Sequence, residues 1–471
     1  MKKLIFNILR KAGVDRAISY GIFTRVWGLV AGPVTLLMIA TKLTKVQQGY
    51  FYTISSLLAL QIFFELGLKT VISQFASHEF ANLTWGEKGA IKGDAVSRER
   101  FIDLLCKSLK GFGIAALLLM IVLVPTGLLF LGKETATRAD FAWRIPWILI
   151  VFGTGFNLSI TPFYAVIMGS GDVVTVNHRE MAGAIVSSLI GWAVLGLGGG
   201  LYAGFAITSG NIIISWSYLL SEKPELLRVV WSKTFGRDRE IKPVAVVSWW
   251  GEVWPMQWKI ALTWIAGYFV FELFTPVLFH YQGAIIAGQM GMTLSAANSL
   301  LAVSLMWSYT KAPEFGKFVA RREWANLDRL LCKVIIQSTG VAIFGAVAGW
   351  AAIMFLQRFS HLGQRFIPAN QAALLFAAIC ASVPIACLGA YLRAHKQEPF
   401  LPLSITLGFV QGWATWYFGK KYSTLGVTSG FLIIIFLFSL PVSVYIWNRC
   451  RRKWHPASCP SDKMRYSAEV Y

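Results

Sequence analysis

FTRVWGLVAGPVTLLMIA, residues Phe23 to Ala40, decides what kind of chain this is. With its neighbours it is long enough to cross a bilayer, which takes about 20 apolar residues. It carries one arginine, Arg25, although a cation inside hydrocarbon costs about 2.5–3.5 kcal/mol even on lenient insertion scales. At about 100° per residue, Gly21, Gly28 and Gly32 share the face of Arg25, and small residues line helix–helix contacts in bilayers. Two readings follow. Arg25 faces an internal aqueous cavity and meets an anionic substrate there, or it snorkels to the headgroups past the short apolar run before it.

Working outward, the whole chain shares this character. Of 471 residues, 56% are hydrophobic and only 14% charged, with 33 Phe and 19 Trp. A mean hydropathy of +0.57 leaves too little charged surface for a soluble protein of this size, so the excess apolar area must face lipid. A net charge of +21 would suggest nucleic acid on a soluble protein. Here the basic residues fall in gaps between apolar runs, so membrane topology explains them and nucleic acid is not expected as a partner. Cys106, Cys332, Cys380, Cys387, Cys450 and Cys459 lack metal spacing and read as free thiols, and the histidines show no metal pattern either. The basic, amphipathic start MKKLIFNILRKAGVDRA lacks a long apolar core and a cleavage site, and reads as a retained cytoplasmic flank.

About twelve spans can be drawn: 19–40, 49–75, 104–131, 145–168, 181–199, 201–220, 248–275, 284–308, 330–356, 370–392, 399–418 and 424–447. With both termini in the cytoplasm, cytoplasmic segments hold about 29 basic residues and external ones about 9, a strong positive-inside bias. The expected organisation is a cytoplasmic N-terminus (1–18), a first lobe (19–220), a cytoplasmic linker (221–247), a second lobe (248–447) and a cytoplasmic tail (448–471). No external loop is large enough for a catalytic domain.

The two halves echo each other. Arg25 precedes Gln48-Gly49 as Lys259 precedes Gln282-Gly283; LLCK occurs at Leu104–Lys107 and Leu330–Lys333; Pro162 matches Pro384; Thr208-Ser209-Gly210 matches Thr428-Ser429-Gly430. The offsets fall steadily from 234 to 220, as small loop deletions would require. Six spans per half give both halves the same orientation. The expected architecture is therefore all-α and integral to the membrane, with two pseudo-twofold six-helix lobes around a central cavity.

Other polar residues in the spans are candidates for that cavity. Lys259 lies opposite Arg25 if the repeat holds, so that two cations flank one chamber. Glu252 shares its helix face, and Gln257 is a further cavity or ion-relay candidate. Trp254 and Trp258 either stack on sugar rings or form an interfacial aromatic belt beside a snorkelling lysine. Glu65 and Lys69 are spaced as an i, i+4 ion pair, serving structure or an ion relay. Glu272 could hold a coupling cation or sit at headgroup level. Motifs for soluble phosphate, serine-hydrolase or zinc chemistry are absent.

The run from Thr24 to Glu79 resembles the opening of bacterial polysaccharide flippases of the multidrug/oligosaccharidyl-lipid/polysaccharide exporter superfamily. Thr24-Arg25, Gly49-Tyr50 and Glu65-Leu66-Gly67 carry the likeness. PFYAVIMGSGDVVTVNHRE (162–180) is similar to the fourth span and its turn, and the stretch from Trp254 to Ala320 to the seventh and eighth spans. The resemblance implies inner-membrane export of an undecaprenyl-diphosphate-linked oligosaccharide by alternating access. It also implies coupling to H+ or Na+, no enzymatic cofactor, and a polymerase and chain-length proteins as partners besides membrane lipids. By position, Arg25 and Lys259 match the basic residues of the first and seventh spans. About twelve spans, with fewer cavity cations than the peptidoglycan-precursor branch carries, favour the O-antigen, capsule or exopolysaccharide branch. A drug exporter of the same superfamily would share the architecture, but Arg25 and Lys259 would repel organic cations. A membrane glycosyltransferase or polysaccharide ligase would present acids or histidines on a sizeable loop.

Overall fold

The computed structural model of the chain describes residues 16–138, 141–235, 248–395 and 397–455. Most of the expected N-terminal flank, part of the expected linker, Cys459 and most of the tail lie outside these residues.

Thr44 makes the first reversal. Span 1 (Arg16–Lys42) stops where Thr44 turns extended. Its hydroxyl accepts the Gln47 N–H at 3.1 Å while the Gln47 side chain accepts the Thr44 N–H at 3.0 Å. This reciprocal cap satisfies two orphan donors and starts span 2 immediately. Span 2 (Lys45–Glu65 with Leu68–Asn82) bends by 42°. The cause is local: Leu66 (φ 50) and Gly67 (φ 67) are both left-handed, which ends one helix and restarts another.

Spans 3 to 6 are Ala95–Arg138, Arg144–Gly169, Val173–Gly196 and Tyr202–Glu222. Span 7 (Gln257–Phe271 with Phe274–Gln282) bends by 42° at Glu272 and Leu273. Spans 8 to 10 are Ala284–Ala320, broken at Leu305, then Trp324–Phe359 and Ala369–Ala394. The run Leu401–Trp454 is two spans. Ser423 takes φ 56 and ψ −144, and a Cβ on Gly430 would lie 3.3 Å from Phe418, so the chain has turned back. Among the described residues seven helices are long and apolar enough to cross a membrane, nine with the two bent pairs; adding the helices of spans 1 and 5 and the turn at Ser423, the chain passes along the bundle twelve times, and both ends of the described chain lie on one face, called here the terminal face. The opposite side is the far face.

The fold is all-α across the membrane-type bundle, with one small exception. Within the polar stretch 78–100, β1 (Leu83–Trp85) pairs antiparallel with β2 (Ile91–Gly93). Buried Lys223 pins this hairpin to the bundle. Its ammonium sits 3.8 Å from the Trp85 ring and 3.3 Å from Asp172 in the turn between spans 4 and 5. Two further stretches expected to be loops are helical: the run after Ser304 continues as Met306–Ala320, and Pro224–Phe235 is an amphipathic helix on the terminal face. Their polar residues lie on helices extending beyond the apolar layer.

Spans 1 to 6 pack chiefly on one another, as do spans 7 to 12. The outer surface stays apolar: Leu129, Phe344 and Phe409 are each more than 70% exposed. That is the surface of a lipid-facing bundle. The five described cysteines form no disulfide, and no group of three potential metal ligands occurs among the described residues.

Candidate functional site

The two halves meet most tightly at the far face, where spans 2 and 8 cross. Gly49 and Gly288 permit this: a Cβ on Gly49 would fall 1.9 Å from the Ala284 carbonyl oxygen, and one on Gly288 would fall 2.8 Å from the Gly49 nitrogen. Beside the crossing lies buried Gln48. Its amide donates to the carbonyls of Gly288 (2.9 Å) and Arg365 (3.0 Å). The Arg365 guanidinium, from the turn between spans 9 and 10, donates back to Gln48 Oε1 (3.2 Å) and to the Leu43 carbonyl (2.6 Å). Lys45 donates to the Gln364 side chain and Gln289 to the Gln364 carbonyl, adding two more ties. Deeper in, Tyr50 is fully buried among Phe141, Trp143 and Phe279, with its hydroxyl donating to Leu131. The Lys45, Gln48, Gln289 and Arg365 side chains thus each reach the opposite half or the adjoining turn, which makes the far face a closed seam.

Toward the terminal face, the halves touch along spans 2 and 7. Gly67 packs against Ile260, and Phe63 meets Tyr268 edge-on at 5.6 Å. At the edge, Arg100 bridges Glu79 (2.9 Å) and Glu252 (3.0 Å), joining the first half to the start of span 7. The Ser248 backbone N–H and Arg100 hold the Glu252 carboxyl below its ordinary pKa.

The candidate residues fall around this seam as follows. Arg25 is on span 1, but its side chain lies outside the described residues. Lys259 is exposed on span 7, on the face opposite buried Gln257 and Ala261. Among the described residues it has no acidic partner; its ammonium lies 5.8 Å from the Trp258 ring. Trp254 and Trp258 are about 40% exposed. Gln257 is buried, and its side-chain oxygen has no hydrogen-bond partner among the described residues. Glu252 belongs to the Arg100 bridge. Lys69 does not pair with Glu65: its ion pair is with Glu180 on span 5, at 3.9 Å. The left-handed Leu66-Gly67 step breaks the i, i+4 geometry the spacing implied. Glu65 is half-buried immediately before that bend, and Glu272, within reach of Ser56, sits at the bend of span 7.

Arg25 and Lys259 do not stand at the same distance from the ends of their spans. Gly49 and Gly288, which meet at the crossing, are each the fifth residue of their helix, an offset of 239. Arg25 lies 17 residues before the end of span 1, and Lys259 lies 23 before the end of span 7. The six-residue difference separates their depths by about 9 Å.

Sequence reasoning missed a polar pocket inside the first half. A cavity of about 580 Å³ between spans 1, 5 and 6 is lined by Tyr20, Thr175, His178, Arg179, Tyr218 and Glu222, among others. Arg179 lies over the Tyr164 ring at 4.1 Å and its Nε donates to the Ser215 hydroxyl at 3.0 Å. The signal was a basic residue in VNHRE. It reads as the polar turn after span 4, whereas span 5 already begins at Val173.

No known family pattern and no curated protein matches the chain. Solved structures do. The chain is similar to a multidrug resistance MATE family transporter of the MOP superfamily in an inward-facing conformation (TM-score 0.54, 14% identity, covering 92% of this chain and 100% of that one). It is similar to the lipid II flippase MurJ in an inward closed conformation (TM-score 0.55, 12% identity, 97% and 99%). It is also similar to a mutant of the Vibrio cholerae MATE transporter VcmN (TM-score 0.56, 13% identity, 93% and 96%). At such identities the likeness is one of fold: the chain has the all-α fold of MOP-superfamily transporters and flippases, over nearly its full length.

Proposed function

We propose that the chain is a flippase that carries a polyprenyl-diphosphate-linked oligosaccharide across the bacterial inner membrane by alternating access. The glycan is an O-antigen, capsule or exopolysaccharide repeat unit. One observation carries this reading: toward the terminal face, where spans 2 and 7 meet, the exposed cation Lys259 stands apart from the ion pairs around it. Glu79 and Glu252 are bound to Arg100, and Glu180 to Lys69, while Lys259 has no acidic partner among the described residues. An exposed cation without an acidic partner at that place favours a diphosphate headgroup and disfavours an organic cation. The MurJ likeness agrees with a lipid-linked substrate, since that protein is a lipid II flippase.

In this proposal the far-face seam is the closed gate, and the Gln48–Arg365 set is what must part for release. Arg25 and Lys259 meet the diphosphate in turn, at different depths. Trp254 and Trp258 offer faces on which sugar rings stack. Glu65, at the bend of span 2, binds the coupling H+ or Na+. With the terminal face in the cytoplasm, a polymerase would receive the glycan at the far face. The test is glycan export in cells. Arg25→Ala and Lys259→Ala each lower surface glycan at least tenfold with normal protein levels in the membrane. Full export by both variants would refute the assignment.

A further inference from the structure

Away from the seam, one cavity joins cations to an elongated apolar lining. It measures about 870 Å³ and lies on the flank of the first half, where span 4 floors a groove between spans 3 and 6. The amphipathic helix Pro224–Phe235 closes its terminal-face end. Leu226 and Val230 of that helix are buried against the bundle, whereas Arg228 and Trp231 are exposed. A helix so divided lies flat at headgroup level, its apolar stripe inward and its basic residues toward the interface.

The lining divides in the same way. Phe156, Ile160, Phe163 and Trp216 form an apolar wall along spans 4 and 6. At the helix end, Lys110 from span 3 and Arg228 from the helix enter one cavity from elements far apart in sequence. Among the described residues Lys110 has no acidic partner. Arg228 donates to Glu225 at 2.8 Å through one nitrogen, and a guanidinium has five N–H donors. The Trp216 indole N–H, buried in the same wall, has no hydrogen-bond partner among the described residues.

We propose that this groove is a site for one anionic diacyl phospholipid. Its phosphate sits between Lys110 and Arg228, and its acyl chains follow Phe156, Ile160 and Trp216. The charge sets the class of lipid. Two cations against one carboxylate complement an anionic headgroup and leave the ammonium of a zwitterionic one without a partner. The place sets it apart from the substrate path, because the groove lies on the outer flank of spans 3, 4 and 6, whereas the seam between halves is built chiefly from spans 2, 7 and 8. The lipid anchors the helix that leads toward span 7.

The test uses the full chain in nanodiscs of equal phosphatidylglycerol and phosphatidylethanolamine, released into native mass spectrometry. The wild type retains phosphatidylglycerol over phosphatidylethanolamine at about one per chain. Lys110→Gln with Arg228→Gln lowers that preference roughly 30-fold, from two cations near the surface. Lys317→Gln with Arg321→Gln, elsewhere on the terminal face, leaves it unchanged. Both targeted cations are solvent-exposed, and an unaltered melting curve checks that the variants fold. Equal retention of the two lipids by the wild type would overturn the proposal, as would a preference that survives the double substitution. Displacement of phosphatidylglycerol by an equal amount of polyprenyl phosphate would also overturn it, making the groove a station for the transported lipid.

Discussion

Replacing Gly49 with alanine tests whether the far-face seam is a gate held shut by close backbone approach. The added Cβ falls 1.9 Å from the Ala284 carbonyl oxygen, where ordinary contact begins near 3.4 Å. The obstacle is backbone, so it cannot rotate aside; spans 2 and 8 must part by about 1.5 Å. Overpacking of this kind costs about 1–3 kcal/mol. Parting the helices also stretches the hydrogen bonds from Gln48 to Gly288 and Arg365. A shift of about 2 kcal/mol changes the ratio of closed to open states roughly 30-fold. The assay is cross-linking of Lys45→Cys to Gln364→Cys by a short bifunctional thiol reagent, since the native side chains touch across the seam through their far ends. Gly49→Ala should slow cross-linking by at least tenfold. Gly288→Ala, whose Cβ would lie 2.8 Å from the Gly49 nitrogen, should slow it less, and Gly28→Ala, with open space around it, not at all. Equal cross-linking in Gly49→Ala and Gly28→Ala would refute the reasoning.

Arg365→Met should weaken the same seam by about 2–4 kcal/mol, since charge-assisted bonds to Leu43 and Gln48 are lost and their oxygens are left without a donor; a lower melting temperature and slower Lys45–Gln364 cross-linking would show it. Gly67→Ala should destabilise the chain and straighten span 2, because alanine resists φ 67 and its Cβ would strike Ile260 at 2.4 Å; the melting temperature reports the first and a spin-label distance across the bend the second. The end of span 12 should loosen in acid. His395 and His455 face each other at 3.1 Å between Nε2 atoms, with Trp324 stacked on His455, Trp454 tilted against His395, and Tyr391, Asp328 and Arg451 adjoining. Burial holds both imidazole pKa values below 6.5, so the unfolded segment binds more protons than the folded one as pH falls below that value. Their anchoring is complete above about pH 6.5 and lost progressively below it. Hydrogen exchange over 440–455, corrected for intrinsic rates, should quicken at pH 5.5 relative to 7.5, and His455→Gln should flatten the difference.

Much of this architecture is legible in the chain because bilayer thickness sets a length scale. Apolar runs of some 20 residues became spans, and the short polar gaps became turns. What hydropathy cannot see is backbone hand and helix continuation. Glu65-Leu66-Gly67-Leu68-Lys69 reads as one helical face, but two left-handed residues turn Lys69 toward Glu180. Pro313 and the charges around it read as a loop, although proline sits inside the helix Met306–Ala320, which continues beyond the apolar layer. Residue identity pairs Gln48-Gly49 with Gln282-Gly283, whereas position along the helix pairs Gly49 with Gly288, because one turn between spans is a two-residue Leu43-Thr44 link and the other a single Gly283. The Arg365 contribution to the seam was illegible, since it joins positions more than 300 residues apart through main-chain carbonyls that no motif records.

The central claim is that a cationic entrance between the halves selects a lipid diphosphate. The most direct measurement is leaflet inversion in proteoliposomes of a fluorescent polyprenyl-diphosphate oligosaccharide, alongside the same glycan on a neutral polyprenyl ether. The wild-type chain should invert the diphosphate and not the ether, and Arg25→Glu with Lys259→Glu should cut that rate at least tenfold. Inversion of both lipids at equal rates, or an unchanged rate after the double charge reversal, would contradict it.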